Sequence, residues 1–368
     1  MCDNHNHGSE PGNKPSSKTI RVTESVGTVL AHDITEIRPG EFKGRAFKKG
    51  HVIREEDVCH LQRLGKEHLF VLQVADDEMH ENEAAYEIAK ALMGDGVAIK
   101  GEPKEGKISI IAERDGLLKI HKDGLLAFNM LGEVMCATLH DNTVVKKGQT
   151  VAGTRAIPLV VKKSIVEAAV RIAAPPQPPL AKGGNRGGVV EVKEIRKPKV
   201  GVVITGNEVY HGRIKDAFAP VITKKIEEIG GELVGVYYAP DDKTFIVDRL
   251  RELLNAGANL LITTGGMSVD PDDVTRFAIR ELGAGEITYG SAVLPGAMFL
   301  IAYLDSIPII GIPACGMYAK TTIFDLILPR VLAGERVGRK EVAVLGHGGL
   351  CLKCEVCRYP VCPFGKQG

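Results

Sequence analysis

The residues best placed to do chemistry in this chain sit in TTGGMSVDPDD, from Thr263 to Asp273. A strand-like apolar run ends at Thr263 and Thr264. Gly265 and Gly266 then let the backbone approach a ligand closely, with amides turned outward. Ser268, after Met267, adds a hydroxyl. Asp270 can cap a helix, with Pro271 at its first position and Asp272 and Asp273 in its first turn. Glycine amides beside a helix N-terminus suit a phosphate. Carboxylates repel an anion, so their presence here points to a divalent cation bridging carboxylate and phosphate. Asp216, Asp241 and Asp242 lie on other loops, where they could share that ion or simply cap helices. The plain alternative is that Gly-Gly followed by Asp-Pro-Asp-Asp is an ordinary turn and helix start.

A second reactive segment ends the sequence. HGGLCLKCEVCRYPVCPFGK holds Cys351, Cys354, Cys357 and Cys362 as C-x2-C-x2-C-x4-C. A short tail with Gly and Pro has no core for thiols to fill. Thiolates at this spacing favour zinc or an iron–sulfur cluster, and both stay open. The run resembles a ferredoxin cluster motif, including the Pro after the last Cys, but its final gap differs by one residue. Half of the 8 cysteines crowd here, which reads as metal binding in a reducing compartment and not as a secreted disulfide framework. His347 reads as a loop residue, and Cys2, His5 and His7 as part of a floppy tail. Cys59 and Cys136 read as buried thiols. Cys315 lies on a loop where it could touch a ligand.

These segments need a scaffold. Residues 1–18 are polar and read as a disordered tail without signal-peptide character. Residues 19–173 read as a mixed α+β region. There ENEAAYEIAKALM has helical spacing, and TVVKKGQTVAGTRAIPLVV reads as short strands with Gly-centred turns. APPQPPLAKGGNRGG marks a linker, placed at 174–195. From 196 to 338 the pattern alternates. KVGVVIT, ELVGVYYA, NLLITT, FLIAYL and IPIIGIP are strand-like. Between them come helical segments at Phe218 to Ile229, KTFIVDRLRELLNAGA and DPDDVTRFAIREL, with a last helix from about Met317 to Leu332. This predicts the α/β class: a three-layer α/β/α domain around a mostly parallel sheet, with a Cys-rich tail at 339–368. Ligands of such sheets bind beyond the carboxyl ends of the strands. ITGNEVYHG, TTGGMSVDPDD, and the pair VLPGAM and GIPACGMY all fall there.

Bulk properties exclude some functions. The 368 residues suit two or three domains, and 44% hydrophobic with 25% charged is ordinary for a globular chain. A net charge of +1 gives no global pull toward nucleic acid or an anionic membrane. Sparse aromatics, at 5% with no Trp, disfavour base stacking. No apolar stretch is long enough to cross a bilayer, so a cytoplasmic protein is expected.

KVGVVITGNEV, TTGGMSVDPDD, LPGAM and GIPACGMY, in that order, resemble the landmarks of the molybdopterin-binding domain. Gephyrin-type molybdopterin molybdotransferases and trimeric molybdopterin adenylyltransferases share that domain. The resemblance covers roughly Lys199 to Val337. VTESVGTVLAHDI resembles the entry helix of the molybdotransferases, and GRAFKKGHVIREEDVCHLQRLGKEHLFVL another part of their N-terminal half. Such a relationship implies binding of molybdopterin or adenylated molybdopterin, with molybdate and Mg2+, and insertion of molybdenum. It implies substrate contacts at Thr205, Gly206, Asn207, Glu208, Thr264, Gly265, Gly266, Met267, Ser268, Pro295 and Gly296, with Cys315 added from its loop. It implies catalytic carboxylates at Asp216, Asp242 and Asp273. It also implies a homo-oligomer, and a molybdoenzyme or another maturation protein as partner. Four departures stand out, one being that Pro313, Ala314, Cys315 and Gly316 stand where the family's last loop reads Pro-Gly-Asn-Pro. Asn207 replaces the family's Asp, Asp270-Pro271 interrupts the second loop, and FKGRAFKKG stands where the family has Asp-Gly-Tyr-Ala. The lost aspartates give a second reading, a non-catalytic carrier or sensor of the cofactor. The basic run, with Lys43, Arg45, Lys48 and Lys49, could hold an anion such as molybdate or form a solvated face.

Overall fold

A computed structural model describes residues 17–38, 42–72, 74–173, 188–266 and 274–366. The β-branched runs of the second half form β1 (Lys199–Thr205), β2 (Glu232–Ala239), β3 (Leu260–Thr264), β4 (Gly285–Tyr289), β5 (Leu300–Leu304) and β6 (Ile307–Ile312). They make one sheet in the order β2-β1-β3-β6-β5-β4. The first four of these are parallel, and β5 runs antiparallel to both its neighbours. The reason is length: only Asp305 and Ser306 separate β5 from β6. Two residues can close a hairpin but cannot make the crossover a parallel pair needs.

Side chains alternate across β1, and both faces are covered. Val200, Val202 and Ile204 join Leu260 and Ile262 against α2 (Phe218–Glu228) and α5 (Ile323–Leu332). Val203 and Leu261 face α3 (Lys243–Asn255) and α4 (Thr275–Glu281). The predicted α/β/α layering is therefore present. A one-turn helix, α1 (Asn207–Tyr210), follows β1, and α6 (Arg339–Val344) follows the last core helix.

The first half is mixed. Strands Val134–Thr138, Thr150–Ala156, Lys107–Ala112 and Val97–Lys104 form an antiparallel sheet. Helices Glu81–Leu92 and Lys163–Ala173 share its core through Ile88, Leu92, Val166 and Ala169. His80 caps the first of these helices at the Asn82 amide and bonds the Gly50 carbonyl at 2.8 Å. Among the described residues no helix is long and apolar enough to cross a membrane.

Several expected boundaries move. Ser17 and Lys18, placed in the tail, pair with Leu72 and Val71; residues 1–16 lie outside the described part. Val190–Lys193, placed in the linker, is a strand against Gly116–Ile120, because Val190 and Val192 bury on one side of it. The segment 22–34 holds no entry helix, only a short turn at Val22–Glu24 and the strand Val29–Leu30. The last core helix begins at Ile323, not Met317, because Thr322 and Asp325 form its capping box. Ala314–Met317 is a separate 3-10 turn. Residues 339–345 belong to the core through Val342 and Leu345, so the tail begins later than expected. Cys59 is exposed, not buried, while Cys136 is buried and its thiol is pushed up to about 12 by desolvation. The basic run is a surface hairpin: Arg45 pairs with Asp33 at 3.3 Å and Lys48 with Glu105 at 3.0 Å.

Glu335 joins the two halves. Burial works to raise its pKa, but Arg330, at 2.9 Å from Nε, and Lys119, at 3.5 Å, outweigh it and hold the carboxyl below the ordinary 4.5. A depressed folded pKa contributes stability that is present above the unfolded value and lost as pH falls through the folded one. Urea unfolding should therefore show a stability drop below about pH 4.5 that is smaller in Glu335→Gln. An identical acid profile in the variant would refute the assignment.

Candidate functional site

The carboxyl ends of β1, β2, β3 and β6 bring three loops to one edge. β1 and β3 end side by side, with Ile204 paired to Thr264. Thr205 is buried; its hydroxyl donates to the Thr264 carbonyl at 2.8 Å and meets the Thr275 hydroxyl at 3.1 Å. The Gly206 amide donates to the Ala239 carbonyl at 3.1 Å, which ties the loop to the end of β2. The Asn207 amide donates to Asp241 Oδ2 at 3.0 Å, and the Asp241 amide to Asn207 Oδ1 at 3.3 Å. Thr205, Gly206, Asn207, Thr264, Gly265 and Gly266 are thus gathered in space. Glu208 is exposed on α1 beside them.

The two glycines of the second loop are required by shape. Gly265 has φ +77, and a Cβ there would lie 2.3 Å from the Thr205 carbonyl oxygen. Gly266 has φ +54, and its Cβ would lie 2.4 Å from the Thr275 hydroxyl oxygen. Any side chain would break the closure of the loops. Beside them the Thr263 and Thr264 hydroxyl oxygens are buried with no hydrogen-bond partner. Leaving such a group unpaired costs about 1–3 kcal/mol, so a polar ligand group there has something to gain. Met267, Ser268, Asp270, Pro271, Asp272 and Asp273 lie outside the described residues.

The other candidate carboxylates are occupied. Asp216 accepts from the Phe218 and Ala219 amides at 2.8 and 2.9 Å, capping α2, and from the Tyr238 hydroxyl at 3.2 Å. Burial, together with the Asp216 charge, raises the Tyr238 pKa and keeps it a donor. Asp242 caps α3, accepting from the Phe245 amide at 2.7 Å. Among the described residues no three ligating side chains come together as a metal site. Asp216 and Asp242 are therefore held by helix amides and are not gathered as a shared cation site. Sequence reasoning missed Thr275 and Tyr238. Neither lies in a motif; only their position across from Thr205 and Asp216 makes them matter.

Pro295 and Gly296 sit on the loop between β4 and β5. A Cβ at Gly296 would meet Ile323 at 2.5 Å, so this turn packs directly on the start of α5. Pro295 and Cys315 line a cavity of about 910 Å3 together with Cys351, Cys354, Cys357 and Cys362. The tail is pinned along it. The Cys351 amide donates to Leu294, Cys357 Sγ lies 3.4 Å from the Thr321 hydroxyl, and the Tyr359 hydroxyl donates to the Asp325 carbonyl at 3.2 Å. The Thr321 contact lowers the Cys357 pKa, and burial raises that of Cys315. The four tail thiols share this cavity without converging on one ion, so the metal expected from their spacing does not fit the segment as it lies.

An α/β/α domain whose glycine loops meet beyond the strand ends defines a small-molecule-binding class. Comparison with known proteins sharpens this. Residues 201–333 match the family described as "Probable molybdopterin binding domain". Residues 19–73 match a family described only as a domain of unknown function. A CinA-like protein of Thermosipho melanesiensis is 39% identical over 88 residues, covering 24% of this chain and 22% of that protein. The chain thus matches about a fifth of the length of its CinA-like relatives. A molybdopterin molybdenumtransferase of Haemophilus influenzae is 28% identical over 167 residues, covering 42% of this chain and 40% of that protein. The crystal structure of a molybdopterin biosynthesis protein from Pyrococcus horikosii covers 87% of this chain and 75% of its own, at 17% identity and a TM-score of 0.31.

Two substitutions separate scaffold from ligand contact. Thr205→Val removes the hydroxyl that joins Thr264 and Thr275, and should cost about 1–3 kcal/mol of stability in urea unfolding. Unchanged stability with weakened ligand binding would show that the hydroxyl serves the ligand instead. Gly266→Ala should be destabilised by about 1 kcal/mol or more, through its positive φ and its clash with Thr275.

Proposed function

We propose that this protein binds molybdopterin at the carboxyl edge of its sheet and acts in molybdenum cofactor biosynthesis. The carrying observation is the closure of the Thr205 and Thr264 loops over Gly265 and Gly266, beside two buried, unpartnered threonine hydroxyls. The family match of residues 201–333 supports the same reading. The finer proposal is molybdenum insertion into adenylated molybdopterin. In that reaction the glycine backbone would hold the phosphate and fix the anhydride, so that catalysis rests on positioning and fixed dipoles. Asn207, Glu208, Pro295, Gly296 and Cys315 would bound the ligand. Asp216, Asp242 and Asp273 are the carboxylates through which any Mg2+ dependence would act. Zinc or an iron–sulfur cluster remains a separate proposal for the tail, resting on cysteine spacing and needing residues 351–362 to close about the metal. A homo-oligomer and a molybdoenzyme partner are likewise proposals.

A second reading, a cofactor carrier, is favoured by one observation: Asp216 and Asp242 both serve as helix caps. Incubation with adenylated molybdopterin, molybdate and Mg2+ separates the two. Insertion predicts AMP release and molybdenum on the pterin, both lost with EDTA. Tight molybdopterin binding without AMP release would leave only the carrier. Absence of binding to either pterin would sink both.

A further inference from the structure

The far flank of the same edge carries a second candidate site. Tyr289 ends β4 and pairs with Leu300 at the start of β5, level with Gly311 of β6 and Thr263 of β3. A pocket of about 380 Å3 opens there, walled by Phe277, Tyr289 and Leu300 and lined by Arg276, Arg280 and Arg339. That volume is within the range of small-molecule sites, about 300–1,000 Å3. Among the described residues no carboxylate lines it, and none of the three arginines has an ion pair with a described residue. Three guanidiniums on one pocket, with no ion pair among the described residues, repel one another, and a bound anion would relieve that.

Their geometry is fixed by neutral groups, which leaves the charge available. Arg339 donates to the Tyr289 carbonyl at 2.6 Å and to the Gly290 carbonyl at 3.2 Å. The Arg276 guanidinium lies 4.8 Å from the Phe277 ring and 5.6 Å from the Tyr289 ring, and its Nε is buried without a hydrogen-bond partner. Arginine forks match phosphate oxygens two at a time, and an aromatic wall accepts a flat heterocycle.

We propose that Arg276, Arg280 and Arg339 form a phosphate subsite, apart from the Gly265 loop, that holds a nucleoside monophosphate with its base against Phe277. The inference stands on this pocket alone and does not need the pterin reading.

AMP, adenosine and inorganic phosphate serve as probes of the full chain in titration calorimetry. AMP should bind, weaken at high salt, and bind at least about tenfold more tightly than either fragment. Arg280 is exposed in the last turn of α4, so Arg280→Gln leaves the core intact and should weaken AMP about tenfold with an unchanged melting temperature. Arg276→Gln with Arg339→Gln should abolish binding, while Gly266→Ala should retain it. No AMP binding, AMP no tighter than phosphate, or affinity indifferent to all three arginines would overturn the proposal. So would loss of AMP binding in Gly266→Ala with retention in the arginine variants, which would place the nucleotide at the glycine loop.

Discussion

The carboxyl edge depends on how closely the ends of β1 and β3 can approach. Thr205 lies buried between the Thr264 carbonyl and the Thr275 hydroxyl, and one side-chain oxygen satisfies both contacts. That knot is short because Gly265 and Gly266 contribute no Cβ to it. Once it is tied, the Gly206 amide reaches Ala239 and the Asn207 and Asp241 pair closes over the end of β2. Four strands then deliver their loops to one place. The arrangement tolerates little, since each partner is both a structural tie and a neighbour of the candidate ligand.

This double duty explains why residue type alone misleads about role. A threonine after a strand reads equally well as a ligand donor or as a tie. Thr205 is a tie, whereas Thr264 keeps a buried hydroxyl without a partner. Asp216 and Asp242 show the same ambiguity for carboxylates. Their oxygens face helix amides, which attract negative charge as a cation would. A helix cap beside a site and a metal ligand in it need the same residue at the same kind of turn.

Much of the sheet was legible because buried parallel strands are continuous β-branched runs, and KVGVVIT and NLLITT are such runs. The helices showed in their apolar spacing. The direction of β5 was legible only from the two-residue gap before β6. Val190–Lys193 escaped because its Val190 and Val192 alternation is short and follows a glycine-rich stretch that reads as linker. The cysteine array is a different case. Spacing along a chain says which thiols can reach one another, but the anchors at Leu294 and Thr321 decide how the segment lies. The arginine pocket left no signal at all, since Arg276, Arg280 and Arg339 come from two helices far apart in sequence.

The edge is electrically divided. Glu208, Asp216, Asp241 and Asp242 crowd the β1 and β2 flank, and the three pocket arginines stand at β4 and β5. From β1 to β4 is four strand steps, roughly 19 Å at about 4.8 Å per step. That exceeds the Debye length of about 8 Å at physiological salt, so neither flank cancels the other. A net charge of +1 therefore conceals two opposite local fields on one surface. An anion arriving at this edge meets attraction on the arginine side and repulsion on the acidic side unless a cation comes with it. The β3 and β6 loops lie between the two, and Gly265 and Gly266 start there. A ligand with a phosphate at one end and a polar ring at the other would be oriented by this gradient before making a single close contact.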